Sequence, residues 1–509
     1  TGGNGSFKVS VPAGNYSIQS SKEGYQSSSV ESVQVRFGAT SVVVVPVVMG
    51  DIEEIVVQGK AYSAIQTGVA ESALNISLDE VARLPVPRAI ESVALLAPGT
   101  VIGDKEFGED KNLISFGGAS VGENAYFING LNVTNFRNGL GGSSVPFEFY
   151  EQFQIKTGGY SAEFGRSLGG VLNAVTKTGT NDFHFGIVSY MSPESFGETS
   201  PDVLRHNGDL YDLNSKNEKS SFTTDFYVSG AIIEDKLFFY ALVEQSETTE
   251  LFNTRGVPGV QNDREIKDDF YGLNLIWNIT DNHALSYTQF TDERVRENQE
   301  YAYDPVTKER GAERGLLSEF RGGENKLIRY DGSITDTFNM SLLYGENEYD
   351  LTSVGTTDQR CPYVVDTSVN AIPGNNATFP GCEANDQVAS GGDRREAFRA
   401  DFEWFLGDHT VRFGYDSEEN TSGSASYYSG TDFRTTGQGV YYRYYTQNVG
   451  VGLSNGGVVP DANGDGSPVN VVRYRLSETS GDFAVEGTAF YIEDTWNVND
   501  QLTVTAGVR

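Results

Sequence analysis

The sequence predicts a mainly β protein: a transmembrane antiparallel β-barrel preceded by a compact α+β unit and part of a β-sandwich. Three observations carry this. Couplets of alternating apolar and polar residues repeat around very short turns from about Asn181 onward. Long polar stretches separate the couplets, so turns fall on one side and loops on the other. Gly 58, Tyr 27 and Phe 30 against 38% hydrophobic residues favour turns and aromatic-bearing strands over helices.

Size and charge bound the function. At 509 residues the chain exceeds one hydrophobic core. Its 37 basic and 70 acidic residues leave a formal net charge of −33, with no basic stripe, which argues against nucleic acid as a partner. The longest apolar run, 42–49, is interrupted by Pro46, so no helix of about 18 apolar residues is available to cross a membrane. An acidic soluble protein and a barrel with acidic loops share this composition, and spacing has to separate them.

Residues 1–50 alternate as short strands around Phe7, Val9 and Val11, Tyr16 and Ile18, Val33 and Val35, and 42–48, with turn signals at Pro12 and Lys22. This is part of a small sandwich, and the opening in mid-pattern at Thr1 leads us to expect an upstream segment. Residues 51–59, DIEEIVVQG, stand between two units that each look complete without them. Within 77–97 helical spacing recurs at Ile90, Val93, Ala94 and Leu96, with Pro87 in the first turn and Pro98-Gly99 as the stop. Short β-like runs follow at NLISFGG, NAYFING, FYEQFQIKTG and GGVLNAVTKTG, making 60–178 an α+β unit.

From 179 to 509 the barrel pattern holds. Short turns lie near Asp235, Asp281, Asp336, Asp408 and Asp500, and long polar stretches at 246–267, 298–323, 353–393 and 426–484 read as loops. Tyr271, Leu273, Leu275, Trp277 and Ile279 face one way, and Gly272, Asn274 and Asn278 the other; Phe398, Ala400, Phe402, Trp404 and Leu406 likewise oppose Arg399, Asp401 and Glu403. An antiparallel sandwich also alternates, but apolar faces opposing charged ones, with one-sided loops, fit a membrane barrel better. Lipid requires such a wall to close, since unpaired backbone cannot sit in hydrocarbon. The spacing gives about eleven strands, whereas a complete barrel with an inner plug needs about 22, so a missing half is expected beyond Arg509.

Four stretches together resemble the TonB-dependent outer-membrane receptors, specifically the Oar-like group with a carboxypeptidase regulatory-like domain in front. The first 50 residues are similar to the second half of that domain, and EEIVVQG is similar to the TonB box that follows it. ISFGGASVGENAYFINGLNVTN resembles the plug's first strand pair, with Asn129-Gly130 where Asp-Gly is more usual. FEFYEQFQIKTGGYSAEFGRSLGGVLNAVTKTGTNDFHFG resembles the plug's close, and AFYIEDTWNVNDQLTVTAGVR a barrel couplet. The resemblance implies a receptor of the Gram-negative outer membrane with its N-terminal domain in the periplasm. It also implies energy-coupled uptake of an extracellular ligand, peptide or protein among the candidates, through a plugged barrel. The same architecture also suits an adhesin or a protein export and assembly partner. TonB, with ExbB and ExbD, would be the inner-membrane partner. Outer-membrane lipid would surround the wall, and a lipoprotein or secreted protein would be a further partner.

Candidate sites were weighed in the same way. Glu53, Glu54, Ile55, Val56 and Val57 read either as the last strand of the sandwich or as an extended peptide that adds to a partner's sheet edge, which needs β-formers and little else. Cys361 and Cys382, close together in one loop without metal-ligand spacing, suggest a disulfide and an oxidising compartment. Asp461, Asn463 and Asp465 alternate in DANGDG as in a Ca²⁺ loop, but Val472 stands where the bidentate glutamate belongs, so a structural Ca²⁺ and a metal-free acidic turn are both open. Tyr441, Tyr442, Tyr444 and Tyr445 are either a ligand platform or loop-packing aromatics, the second being preferred. GASVG at Gly118–Gly122 lacks a hydrolase setting, and His184, His206, His283 and His409 lie mostly in or beside strands or loops, so no enzyme is expected.

Overall fold

The described residues of the computed structural model are 14–20, 25–26, 28–35, 45, 48–49, 72–103, 113–255, 259–355, 363–368, 387–428, 440–453, 456–476, 478–499 and 502–509. Near the N-terminus Gly14–Ser20 pairs antiparallel with Ser28–Val35, and Tyr25–Gln26 with Val48–Met49.

The inner unit is built on a five-stranded sheet. Tyr150–Gly158 runs between Ser72–Ser77 and Val171–Thr176, both antiparallel, and Val171–Thr176 continues parallel to Ala125–Ile128. Asn129 and Gly130 both take positive φ, 50° and 89°, the twist a two-residue hairpin requires before Leu131–Asn132. The helical pattern at 77–97 breaks into two short pieces. Ser77 and Glu80 form a capping box on Leu78–Val81, and the second helix is Ile90–Ala94. Pro85 and Pro87 stand between them, removing donors and holding the preceding residues extended, so Pro87 precedes the helix rather than opening it. Gly99, at φ 81°, then reverses the chain.

Around this unit stands a single sheet of fourteen ladder segments. Three of them continue a neighbour in line: Val260–Lys267 with Phe270–Thr280, His283–Thr291 with Arg294–Asp304, and Glu309–Gly322 with Glu324–Thr335. Among the described residues the wall therefore has eleven strands running in sequence order, the number the spacing predicted. The expected faces are present: Tyr271, Trp277, Ile279, Phe398, Trp404 and Leu406 are exposed, whereas Asn274 is buried toward the lumen. Lipid demands that arrangement of apolar side chains outside and polar ones inside.

A second sequence expectation fails. The polar stretches 246–267 and 298–323 are largely strand, not loop: Leu237–Asn253 pairs with Val260–Lys267, which pairs with Arg294–Asp304 and through it with Glu309–Gly322. A backbone ladder in water needs no apolar face, so polar composition there hides strands. Cross-strand ion pairs replace the apolar alternation, Lys219 with Glu250 at 2.7 Å and Arg264 with Glu250 at 3.4 Å. Gln387–Leu406 and His409–Tyr428 are 20 residues each, about twice what a bilayer requires, so the wall rises well beyond it. All three composite strands break at one height, at Asp268-Asp269, Asp292-Glu293 and Gly323. There Asp292 N–H donates to the Gly323 carbonyl at 3.0 Å and accepts Gly323 N–H on its own Oδ1 at 2.9 Å.

Candidate functional site

The site is the seam between inner unit and wall. Its apolar part is one buried cluster. Phe149, fully buried just ahead of Tyr150–Gly158, meets Phe270 edge-on at 5.2 Å and lies 6.1 and 6.2 Å from Tyr240 and Phe290. Gly272 is needed for this approach, because a Cβ there would lie 2.5 Å from the Phe149 ring. Leu242, Leu327 and Leu343 of the wall complete the cluster against Phe153, Ile155 and Leu172 of the sheet.

Toward the short-turn end the seam is hydrogen-bonded. Asn274 Nδ2 donates to Thr176 Oγ1 and the Lys177 carbonyl, both at 2.9 Å, and Asn129 Nδ2 donates to Thr176 Oγ1 at 2.8 Å and Thr288 Oγ1 at 3.0 Å. Tyr240 donates its hydroxyl to the Glu148 carbonyl at 2.8 Å, and the Glu148 carboxylate receives Arg88 and the Tyr190 hydroxyl. Here the unit joins the first wall strand, and Asn181 and Asp235 exchange hydrogen bonds at 2.6 and 2.9 Å.

On the opposite flank charges dominate. Arg166, held at φ 57°, reaches Glu418. Glu163 faces Arg399 at 3.4 Å, its carbonyl accepts from Arg509 at 2.7 Å, and Glu493 accepts the Ala162 N–H at 2.9 Å. Higher up, Arg395, 3% exposed, donates to the carbonyls of Asn132 and Thr134 at 2.7 and 2.9 Å. Arg137 donates Nε to both oxygens of Asp393 at 3.1 Å.

The residues singled out in the sequence lie elsewhere. Glu53, Glu54, Ile55, Val56 and Val57 fall outside the described residues, as do Cys361 and Cys382. Tyr441, Tyr442, Tyr444 and Tyr445 sit on Val440–Gln447, which pairs with Val469–Leu476 and Tyr363–Thr367 in a three-stranded loop sheet; Tyr441 stacks on Tyr428 and Tyr442 meets Tyr474, both at 5.4 Å. In DANGDG, Asp461 accepts Gly464 N–H at 2.8 Å and Gly466 N–H at 3.1 Å, and Asp465 accepts from Ser467. Val472 belongs to a strand, opposite Tyr444. Ser120 of GASVG opens a 3₁₀ turn, its N–H donating to Glu123 at 2.8 Å.

Sequence reasoning passed over the residues that make the seam. Arg395, Arg399 and Glu418 were visible as charges on inward faces, but their partners depend on a fold that brings together positions more than 200 residues apart.

Comparison with known proteins places this architecture. The model of the TonB-dependent Receptor Plug Domain family matches residues 66–171. The chain is 29% identical over 285 residues to the TonB-dependent transporter Oar of Myxococcus xanthus, covering 53% of this chain and 26% of that protein. It therefore spans about a quarter of the length of that relative. Among solved structures the outer membrane transporter YddB from Escherichia coli aligns with a TM-score of 0.51 at 13% identity, over 86% of this chain and 60% of that one. The ferripyoverdine receptor of the outer membrane of Pseudomonas aeruginosa aligns with 0.52 at 13%, over 86% and 51%. These two support the fold alone. Residues 66–171 thus match the plug of TonB-dependent receptors, the chain is similar to an Oar transporter, and its plug-in-barrel fold is the one found in those two outer-membrane proteins.

Proposed function

We propose that the protein takes up an extracellular ligand, a peptide or protein, by TonB-coupled displacement of its plug. Ligand binds at the long-loop end; TonB, energised through ExbB and ExbD, pairs with Glu53–Val57 in the periplasm and pulls. The observation that carries this is the seam itself. Apart from the Phe149 cluster, the plug meets the wall through hydrogen bonds and ion pairs that water can replace at a net cost of about 1 kcal/mol for a neutral pair and about 1.5–3 kcal/mol where a partner is charged. A plug meant as a permanent filler would bury apolar surface throughout. The relative's name, a TonB-dependent transporter, agrees with this reading, and the acidic excess favours peptides or cationic ligands over anionic ones.

Deleting residues 51–59 is the test. Uptake should disappear while the barrel still shows heat-modifiable migration. Undiminished uptake by a folded, deleted receptor would refute the coupling.

A further inference from the structure

The geometry points to a two-way clasp that sets the position of the plug's outermost loop, with Arg137, Asp393 and Arg395 as its positioning residues. The inference borrows its purpose from the transport reading, but not its test. Residues 132–142 form a loop that holds its own shape. Asn135 N–H donates to the Gly141 carbonyl at 3.0 Å, Gly139 N–H to the Asn135 carbonyl at 2.8 Å, and Thr134 bridges Gly142. The Asn135 and Asn138 side chains cap further amides within it.

What the loop does not supply is its own orientation. Two arginines of opposite origin do that. Arg395 reaches inward from the wall to the carbonyls of Asn132 and Thr134, its guanidinium 5.3 Å from the Phe136 ring centre. Arg137 reaches outward from the loop to Asp393 and to the Gly423 carbonyl at 3.1 Å. Asp393 is held in turn by the Ser422 hydroxyl at 2.7 Å.

The two halves differ in access. Arg395 and the Asp393 carboxylate are buried, whereas the Arg137 side chain keeps 29% of its surface exposed. Beside Gly423 the wall carries glycine, serine and alanine at 390–392, 423–425 and 480–481, and the carboxylate of Asp482, around a hollow of about 460 Å³. Arg137 is thus the releasable half of the clasp, with space beside it. A ligand at the long-loop end loosens the loop's outer half by breaking one ion pair, while Arg395 still holds Asn132 and Thr134 and the plug sheet below is undisturbed.

Amide hydrogen exchange on the full receptor in detergent tests this. Arg137→Asp and Asp393→Arg should each speed exchange in 133–142 by ~10-fold, while 150–158 and 171–176 keep their protection. The double charge swap should return the loop to the wild-type rate. Should a reversed charge block folding, Arg137→Gln gives the same reading with the charge merely removed. Unchanged loop exchange, loss of protection throughout the plug, or a double swap no slower than the single variants would each overturn the clasp. Uptake plays no part in these readings, so they stand or fall apart from the transport proposal.

Discussion

Replacing Phe149 by alanine tests whether the plug is anchored to the wall at one aromatic point. The ring is fully buried and meets Phe270, Tyr240 and Phe290 of three wall strands within 6.2 Å. Truncation of such a phenylalanine costs about 3–5 kcal/mol, since the transfer term and the cavity left behind add. The edge-on contact with Phe270 accounts for about 1 kcal/mol of that. Because every one of these partners belongs to the wall, the loss falls on docking rather than on the plug's own sheet. At 1.4 kcal/mol per decade, the undocked population should rise by about two to three and a half decades. Hydrogen exchange across 150–158 and ion conductance in planar bilayers would both report it, with heat-modifiable migration as the control for an intact barrel. Phe149→Leu, which leaves most of the volume filled, should show a smaller effect in the same direction. Unaltered exchange and conductance in the alanine variant would refute the anchor.

Two other expectations follow from burial and facing. Leu275 points outward near the middle of the wall's membrane-spanning part, between Tyr287 and Phe239; Leu275→Arg should cost about 2–4 kcal/mol of barrel stability, measured by urea unfolding in liposomes. Glu300 lies in the upper wall, beyond the bilayer, where burial raises its carboxyl from 4.5 to about 7 against the opposing pull of Arg314. The folded state then holds the proton more tightly than the unfolded chain. Its stabilisation is complete below about 4.5 and is lost as pH rises through about 7, by ~3 kcal/mol at most and less where solvent reaches it. Glu300→Gln should flatten the pH dependence of the thermal unfolding midpoint between about pH 5 and 8, and an identical slope in the variant would refute this assignment.

The wall was legible in the sequence wherever lipid imposes a pattern. Tyr271 to Ile279 and Phe398 to Leu406 alternate because one face meets hydrocarbon and the other the lumen, and the strand count followed from their turns. Above the bilayer that constraint ends. Val260–Lys267 and Arg294–Asp304 read as loop because their buried face is polar too, with Asn298 Nδ2 donating to Asn262 Oδ1 at 2.9 Å where a membrane strand would alternate apolar and polar. The plug was recognised from local motifs such as FGRSLGG, in which Arg166 takes φ 57°, yet its partner Glu418 lies 252 residues away. No local spacing could have named that pair. The proline-broken helix is a different miss, in which periodicity at Ile90–Ala94 was read through a segment that Pro85 and Pro87 had already stopped.

Holding and releasing the plug make opposite demands, and the seam divides them by chemistry. A core of the ordinary kind would fix 72–177 at a cost no modest pull repays, because exposing each buried aromatic costs several kcal/mol. The apolar contact is instead gathered around Phe149, near the chain's passage from Lys177 into the first wall strand. Elsewhere, at Asn129, Arg166, Arg395 and Arg137, every protein partner lost on displacement can be replaced by lumen water. A force applied through residues ahead of Ser72 would reach Ser72–Ser77 first, which among the described residues is an edge strand paired to Tyr150–Gly158 alone. Peeling an edge strand breaks its ladder one pair at a time, whereas the central strands must shear all theirs together. On the transport reading proposed above, the plug would therefore yield first at Ser72–Ser77, and the Phe149 cluster, at the other end of Tyr150–Gly158, would keep the remainder seated.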